Sequence, residues 1–352
     1  MIYNFIKRKI SSLESLAKNY FCRKKINYVV ESAKWSIQDV GYQITSRIPK
    51  SRIVKSTRFL KNSIIHFGSI NTVKIKNNNP VLPNKCNNII ISWFHVSPED
   101  PHINYIQNID MKIDLWHTSS SITKNILINF GASDEKIKII PLGVDIQNFH
   151  PPTVKEKEDS CKKFNIPVGK IVIGSFQKDG NGWGEGLEPK LIKGPDIFLE
   201  VIKNLKEEFE IHCLLSGPAR GYVKKGLDEM GVPYTHRYYD NPWEVSQCYR
   251  ACDLYLITSR IEGGPKSMLE SLASGVPLVT TKVGMVPDIL KDGKNAFIVE
   301  PGDVSELSKK ARQLLKNPAL AERHIAEGLQ LSQQYNWDKI AERYYLELYS
   351  VL

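Results

Sequence analysis

DLYLITSRIEGGPKSMLESLASGVPLVTTKVGMVPD, residues 253–288, is the stretch whose reading decides the fold. Its opening seven residues are a β-branched and aromatic run suited to a buried strand. A loop carrying Glu262, Gly263 and Gly264 follows. Pro265 fits the first turn of a helix, where its missing N–H is no loss. Met268, Leu269, Leu272 and Ala273 line one face of that helix, Gly275 closes it in the left-handed conformation, and VPLVTT reads as a second strand. A strand–loop–helix–strand unit puts the loop at the carboxyl end of a parallel sheet, where α/β proteins bind ligands.

The loop also has chemistry of its own. Gly263 and Gly264 let backbone N–H groups approach a ligand closely, at the positive end of a helix. Glu262 stands in the loop, and Glu270 lies roughly one and a half turns into the helix. Two carboxylates spaced E-x7-E across a Gly-Gly-Pro turn can grip two separate hydroxyl-bearing parts of one ligand. A lone E-x7-E is more often two solvated glutamates, since Glu is normally exposed. The surrounding SRIEGGPKSMLESLASGVPLVTT frame favours the ligand-binding reading.

With that frame, the stretch resembles the retaining, nucleotide-sugar-dependent glycosyltransferases of the "group 1" (family four) type. The resemblance implies the GT-B fold, an α/β architecture of two Rossmann-like domains facing across a cleft. It implies that Glu262, Gly263, Gly264 and Pro265 contact the donor sugar and that Glu270 holds the ribose of the nucleotide.

A chain of 352 residues suggests about two domains. No apolar run approaches the ~18 residues of a membrane span, and the start of the chain lacks the apolar core of a secretory signal. The six cysteines show neither metal-ligand nor disulfide-scaffold spacing, so a reducing, cytoplasmic setting is expected. Net charge is +10, unevenly spread: residues 1–150 hold 21 Lys and Arg against 10 Asp and Glu, the remainder 27 against 28. A basic half suits nucleic acid, anionic lipid or an acidic substrate. No nucleic-acid-binding motif accompanies it, so no nucleic-acid partner is expected.

Residues 1–25 place Ile2, Ile6, Ile10, Leu13, Ala17 and Tyr20 on one helical stripe beside seven basic residues. Two readings stand for it: a surface helix packing on its own domain, or peripheral contact with an anionic membrane at the inner face. NYVVE, IVKS, SIIHFG and NIIISWF read as strands of the first domain, and NNNPVLPNK as a turn-rich loop. That half lacks the G-x-G-x-x-G fingerprint, which argues against a dehydrogenase-type cofactor site. His95 follows NIIISWF. The resemblance puts a histidine there beside the reacting sugar, whereas a lone strand-end His is usually structural. The match is loose, because a second family histidine is absent at Ser97 or Pro98.

Residues 114–152 match the same family, with Gly143 and Val144 expected to line the cleft, His117 to fill a capping or core role, and NFHPP to leave the domain as a linker. KIVIGSF (170–176) opens the second domain. The family's diphosphate grip is a basic residue after this strand and a Lys-Gly opening the next helix. Lys193-Gly194 supplies the second part, but Gln177-Lys178 stands in place of Gly-Arg, and a stretch with five glycines, Gly180 to Gly194, follows. Lys178 is therefore assigned the second phosphate contact, with Lys190 as runner-up. Amides of the glycine-rich loop together with two lysines suit a pyrophosphate. Arg220 is expected to reach the cleft, and Arg237 and Tyr238 to flank the nucleobase.

The expected organisation is an acceptor-binding domain over 1–152, a nucleotide-sugar-binding domain over 153–334, and a helical tail 335–352 returning to the first. The expected activity is transfer of a hexose from a UDP- or GDP-sugar to a glycan or lipid-linked acceptor with retention of configuration, in surface polysaccharide or glycoconjugate biosynthesis. His95 and Glu262 are the catalytic candidates. No Asp-x-Asp pair occurs, so no metal and no cofactor are called for. The rivals are a nucleotide-sugar epimerase or hydrolase on the same fold and a basic nucleic-acid-binding protein.

Overall fold

The computed structural model describes residues 25–30, 36–76, 79–96 and 100–352. The amphipathic stretch proposed for residues 1–25 lies outside them apart from Lys25, as do Ser97 and Pro98. Two compact units result. Of the described residues, the first holds those within 25–119, 123–140 and 337–352; the second comprises 120–122 and 141–336.

The first unit is built on strands β1 (Lys25–Val29), β2 (Ser51–Val54), β3 (Ser63–Phe67), β6 (Asn88–Ser92), β7 (Leu115–Thr118) and β8 (Ile137–Ile139). They form one sheet in the order β2-β1-β3-β6-β7-β8, and every pairing is parallel. Strand runs such as SIIHF and NIIIS are buried almost throughout, as a sheet covered on both faces requires. Their core gathers Ile65, Ile91, Trp93, Trp116 and Leu127. The stretch read as a loop before β6 instead supplies β5 (Asn79–Val81), which pairs antiparallel with β4 (Lys74–Lys76). Its Asn and Pro content hides it from a propensity reading.

A chain of buried hydrogen bonds fastens the last residues of the protein to this sheet. Tyr349 Oη lies 2.7 Å from His66 Nδ1, His66 Nε2 lies 2.7 Å from Ser92 Oγ, and Ser92 Oγ lies 2.7 Å from His117 Nδ1. His117 Nε2 ends the chain 3.0 Å from the carbonyl of Ile140. That carbonyl can only accept, so His117 is protonated on Nε2 and accepts at Nδ1 from the Ser92 hydroxyl. Ser92 then accepts from His66 Nε2–H, and Tyr349 donates to His66 Nδ1. Arg343, donating to the Ile139 carbonyl at 3.0 Å, ties the same C-terminal segment to β8. His117 is thus a core residue.

In the second unit, β9 (Ile171–Phe176), β10 (Ile211–Ser216), β11 (Tyr234–Arg237), β12 (Leu254–Ile257), β13 (Leu278–Thr281) and β14 (Phe297–Val299) form a sheet in the order β11-β10-β9-β12-β13-β14. All pairings are again parallel. This is the doubly wound order whose direction reverses between β9 and β12, and the carboxyl ends of those two strands are where such sheets take ligands. The helix Pro195–Leu205 buries Ile197, Phe198, Val201, Ile202 and Leu205 against the sheet. Each contributes about 1.5–3 kcal/mol of hydrophobic burial. Residues 141–152 pack within this unit: Val144 N donates to the Tyr335 carbonyl at 2.9 Å, and the Phe149 ring sits 5.7 Å from that of Tyr249.

Candidate active site

The reversal point is occupied by two turns pressed together. After β9 the chain runs to the Lys193-Gly194 turn, and Gly194, at φ 63° and ψ 39°, opens the helix Pro195–Leu205. Only glycine fits. A Cβ there would lie 1.9 Å from the Thr258 carbonyl oxygen, and the left-handed conformation itself disfavours other residues. Thr258 Oγ1, just beyond β12, donates to the Gly194 carbonyl at 2.8 Å, and the Gln177 amide donates to the Lys193 carbonyl at 3.1 Å. Arg260 holds Asp196 through two hydrogen bonds of 2.8 and 2.6 Å, closing the turn from the other side.

This clamp sets Lys193 against the Glu262 loop. Lys193 Nζ lies 2.7 Å from Glu262 Oε1, and Ser259 Oγ donates to the same oxygen at 2.9 Å. Both side chains are mostly buried. Gly263 is buried beneath Gly284, whose Cα approaches so closely that a Cβ would meet the Gly263 oxygen at 2.5 Å. Pro265 is the N-cap of the helix Lys266–Ala273, one position earlier than expected, and Gly275 follows that helix at φ 67°. Glu270 accepts from Tyr249 Oη at 3.2 Å and lies 3.8 Å from Lys266 Nζ. Beneath it, Tyr249 stacks edge-on to Phe176 with ring centres 4.7 Å apart and meets Tyr255 at 5.1 Å. Burial pushes the Tyr249 hydroxyl far above its ordinary range, with the Tyr255 and Glu270 charges adding to it, so Tyr249 remains a donor to Glu270.

Three lysines gather at the loop. Lys190 is pushed below the ordinary lysine range, first by burial, then by the charges of Lys193 and Lys178, with Glu262 opposing. Lys178 Nζ lies 4.0 Å above the ring of Trp183, which is 59% exposed. Such a cluster offsets the charge of a diphosphate, and the two carboxylates accept hydroxyl hydrogen bonds.

One expectation is corrected and another gains a packing role. Part of the glycine-rich stretch between Lys178 and Lys190 packs against residues 219–222, while a Cβ on Gly182 or Gly184 would meet nothing within 4 Å. The Glu185 and Gly186 carbonyls cap the helix Gly221–Glu229 by accepting from Gly221 N at 2.7 Å and Tyr222 N at 2.8 Å. A Cβ on Gly180 or Gly186 would strike the Ala219 oxygen at 2.4 or 2.2 Å, so these glycines serve close packing. Arg220 does not reach out. It is 1% exposed, donates to the Ser175, Gln177 and Ser216 carbonyls at 2.6, 3.2 and 2.9 Å, and pairs with buried Asp179 at 3.0 Å. A buried guanidinium with that many acceptors holds strand ends together.

Arg237 ends β11 with its guanidinium on the His236 carbonyl at 3.1 Å, and Tyr238 beside it is 60% exposed. His95, in the first unit, is half-buried just beyond β6, and its carbonyl accepts from the Trp93 indole at 3.2 Å. The sequence reading missed Ser259, Gln177 and the Arg260–Asp196 pair. Their only signal was position beside a strand end. Among the described residues no cluster of His, Cys, Asp and Glu has metal-binding geometry.

The fold class follows from the two parallel six-stranded sheets: this is a GT-B architecture. Anabaena HepE, solved in complex with UDP and glucose, superposes with a TM-score of 0.75 at 17% identity, covering 94% of this chain and 100% of its own. Sucrose-phosphate synthase from Thermosynechococcus elongatus gives 0.70 at 14% identity, with 94% and 100% covered. Residues 187–330 match the family "Glycosyl transferases group 1", and over that stretch the chain is similar to it. Among curated proteins, D-inositol 3-phosphate glycosyltransferase of Corynebacterium urealyticum is 23% identical over 278 residues, 76% of this chain. The match spans 63% of that relative's own length.

Proposed function

We propose that the protein transfers a sugar from a nucleotide diphosphate donor to a glycan or lipid-linked acceptor, with retention of configuration, in surface glycan or glycoconjugate assembly. The observation that carries this reading is the Lys193–Glu262 pair, 2.7 Å apart, at the reversal point of a doubly wound sheet. One partner suits a phosphate and the other a sugar hydroxyl, and each neutralises the other until a ligand takes both. In bond cleavage the departing diphosphate gains charge while the sugar becomes oxocarbenium-like. Lys193, Lys178 and Lys190, with the amino end of the helix Pro195–Leu205, would stabilise the leaving group electrostatically. Glu270 would take the ribose over the Tyr249–Phe176 floor, Arg237 and Tyr238 would flank the base, and Gly263, Gly264 and Pro265 would shape the sugar subsite. His95 is assigned to the reacting sugar on its place after β6. Three lysines leave no charge that demands a metal.

The superposing HepE structure with UDP and glucose supports starting with uridine donors. A thermal-shift screen of UDP, GDP and their hexose conjugates tests the reading. A true donor at 100 times its Kd adds about 2.7 kcal/mol of stability. If no nucleotide diphosphate or nucleotide sugar raises the melting temperature, the reading fails. Free sugar or an epimer formed without any acceptor would instead identify a hydrolase or epimerase.

A further inference from the structure

In a parallel sheet every strand begins at the same edge. In the first unit that edge is opposite the carboxyl edge that bears His95. Side-chain bonds fix its turns: Asn87 accepts from Ser63 N at 3.2 Å and donates to the Leu60 carbonyl at 3.0 Å, tying the turn before β3 to the start of β6. Asp114 accepts from Ile89 N at 2.7 Å and from the Asn88 amide at 3.0 Å, tying the turn before β7 to the same point. The register agrees, with Ile64 opposite Asn88 and Ile90 opposite Leu115.

Four exposed cations stand on these turns, Arg58, Lys61, Lys85 and Lys112, and among the described residues none makes an ion pair. Among them two large apolar side chains face outward, Phe59 at 82% and Met111 at 74% exposure. Phe59 adopts φ 67°, a conformation that a bulky residue rarely takes. With that turn Leu60 packs onto the core while Phe59 stays outside, its ring 4.7 Å from the Arg58 guanidinium. The nearby carboxylates are mostly spoken for: Asp110 by Trp116 and Ser133, Asp134 by Lys124, leaving exposed Glu135 at the far end.

We propose that this edge docks the protein on an anionic phospholipid surface, the four cations meeting headgroup phosphates and Phe59 and Met111 entering the headgroup–acyl boundary. Charge complementarity selects the partner. Basic residues near an anionic membrane attract it over a Debye length, and interspersed apolar side chains suit an interface that is wet on one side only. A nucleic acid would satisfy the cations but leave Met111 in water. Docked this way, the sheet turns its carboxyl edge away from the lipid. The proposal goes beyond glycosyl transfer and does not depend on it, because its readout is binding.

The test uses the full chain in vesicle flotation, with phosphatidylcholine alone or with one-third phosphatidylglycerol. The wild type floats with anionic vesicles, less so as salt rises, and not with neutral ones. Lys61→Gln, Lys85→Gln and Lys112→Gln together lower partitioning by roughly 100-fold, about fivefold for each positive charge lost. Phe59→Trp supplies a reporter whose emission, taken as the difference from wild type, shifts to the blue on vesicle addition. Circular dichroism shows that the variants are folded. The proposal is overturned if the wild type ignores anionic vesicles, if the triple variant partitions as the wild type does, if the emission of the Phe59→Trp reporter stays unmoved on vesicles that bind, or if single-stranded RNA displaces the protein from them.

Discussion

Lowering the pH from 7 to 5 is expected to weaken the first unit by about 2 kcal/mol through His117, with His66 acting in the same direction. Both imidazoles are buried and neutral in the chain Tyr349–His66–Ser92–His117. Burial is the main cause. It drives His66 well below its ordinary 6.5, helped by His117, and takes His117 down to about 4, helped by Arg343 and opposed by the Ile140 carbonyl. Tyr28 and Tyr344 also face the pair, edge-on, and supply no carboxylate to offset a positive charge. In the unfolded chain each imidazole takes a proton near pH 6.5, whereas in the folded protein it does not. The unfolded state therefore binds more protons, and stability falls as pH falls from 6.5 toward 4. At pH 5 the interval is about 1.5 pH units, which at 1.36 kcal/mol per unit gives about 2 kcal/mol for His117. Urea midpoints measured from pH 7 to pH 5 report the loss. His212, His236 and His324 in the second unit are also lowered and add to the total slope, so site-resolved histidine resonances are needed alongside. The reasoning is refuted if either His66 or His117 titrates near 6.5 in the folded protein.

Glu270→Ala should weaken nucleotide binding by about 1–3 kcal/mol, since a ribose hydroxyl would lose its acceptor. Glu262→Ala should damage transfer more than binding of the bare nucleotide; calorimetry and turnover separate the two, and unchanged values in both variants would remove these assignments. Turnover should survive excess EDTA, and loss that magnesium or manganese restores would show that the lysines do not suffice. Gly194→Ala should lower the melting temperature and donor binding together, because its Cβ would meet the Thr258 oxygen at 1.9 Å. Arg220→Met should cost about 3–5 kcal/mol, leaving Asp179 buried without its cation, and Asp179→Asn in the same chain should recover part of it.

The strand–loop–helix–strand unit around Glu262 was legible because each of its parts is local. A strand's composition, a glycine that closes a helix and a proline at a helix start all act within a few residues. That unit also implied a parallel sheet around it, and the sheet of the second unit is parallel throughout. The packing role of Gly180 and Gly186 was not legible because glycine's local signature is the same whether an anion or a carbonyl such as that of Ala219 lies above it. Arg220 was misread for a similar reason: its charge is written in the chain, while its burial depends on carbonyls from three separate positions at strand ends. The His66–Ser92–His117–Tyr349 chain had no sequence signal at all, because its members lie up to 283 residues apart. The basic rim was only half visible. Sequence counted the surplus of cations, but only the common direction of parallel strands put Lys61, Lys85 and Lys112 on one edge. Local chemistry is written along the chain, and what faces what is decided when strands far apart in sequence come to lie side by side.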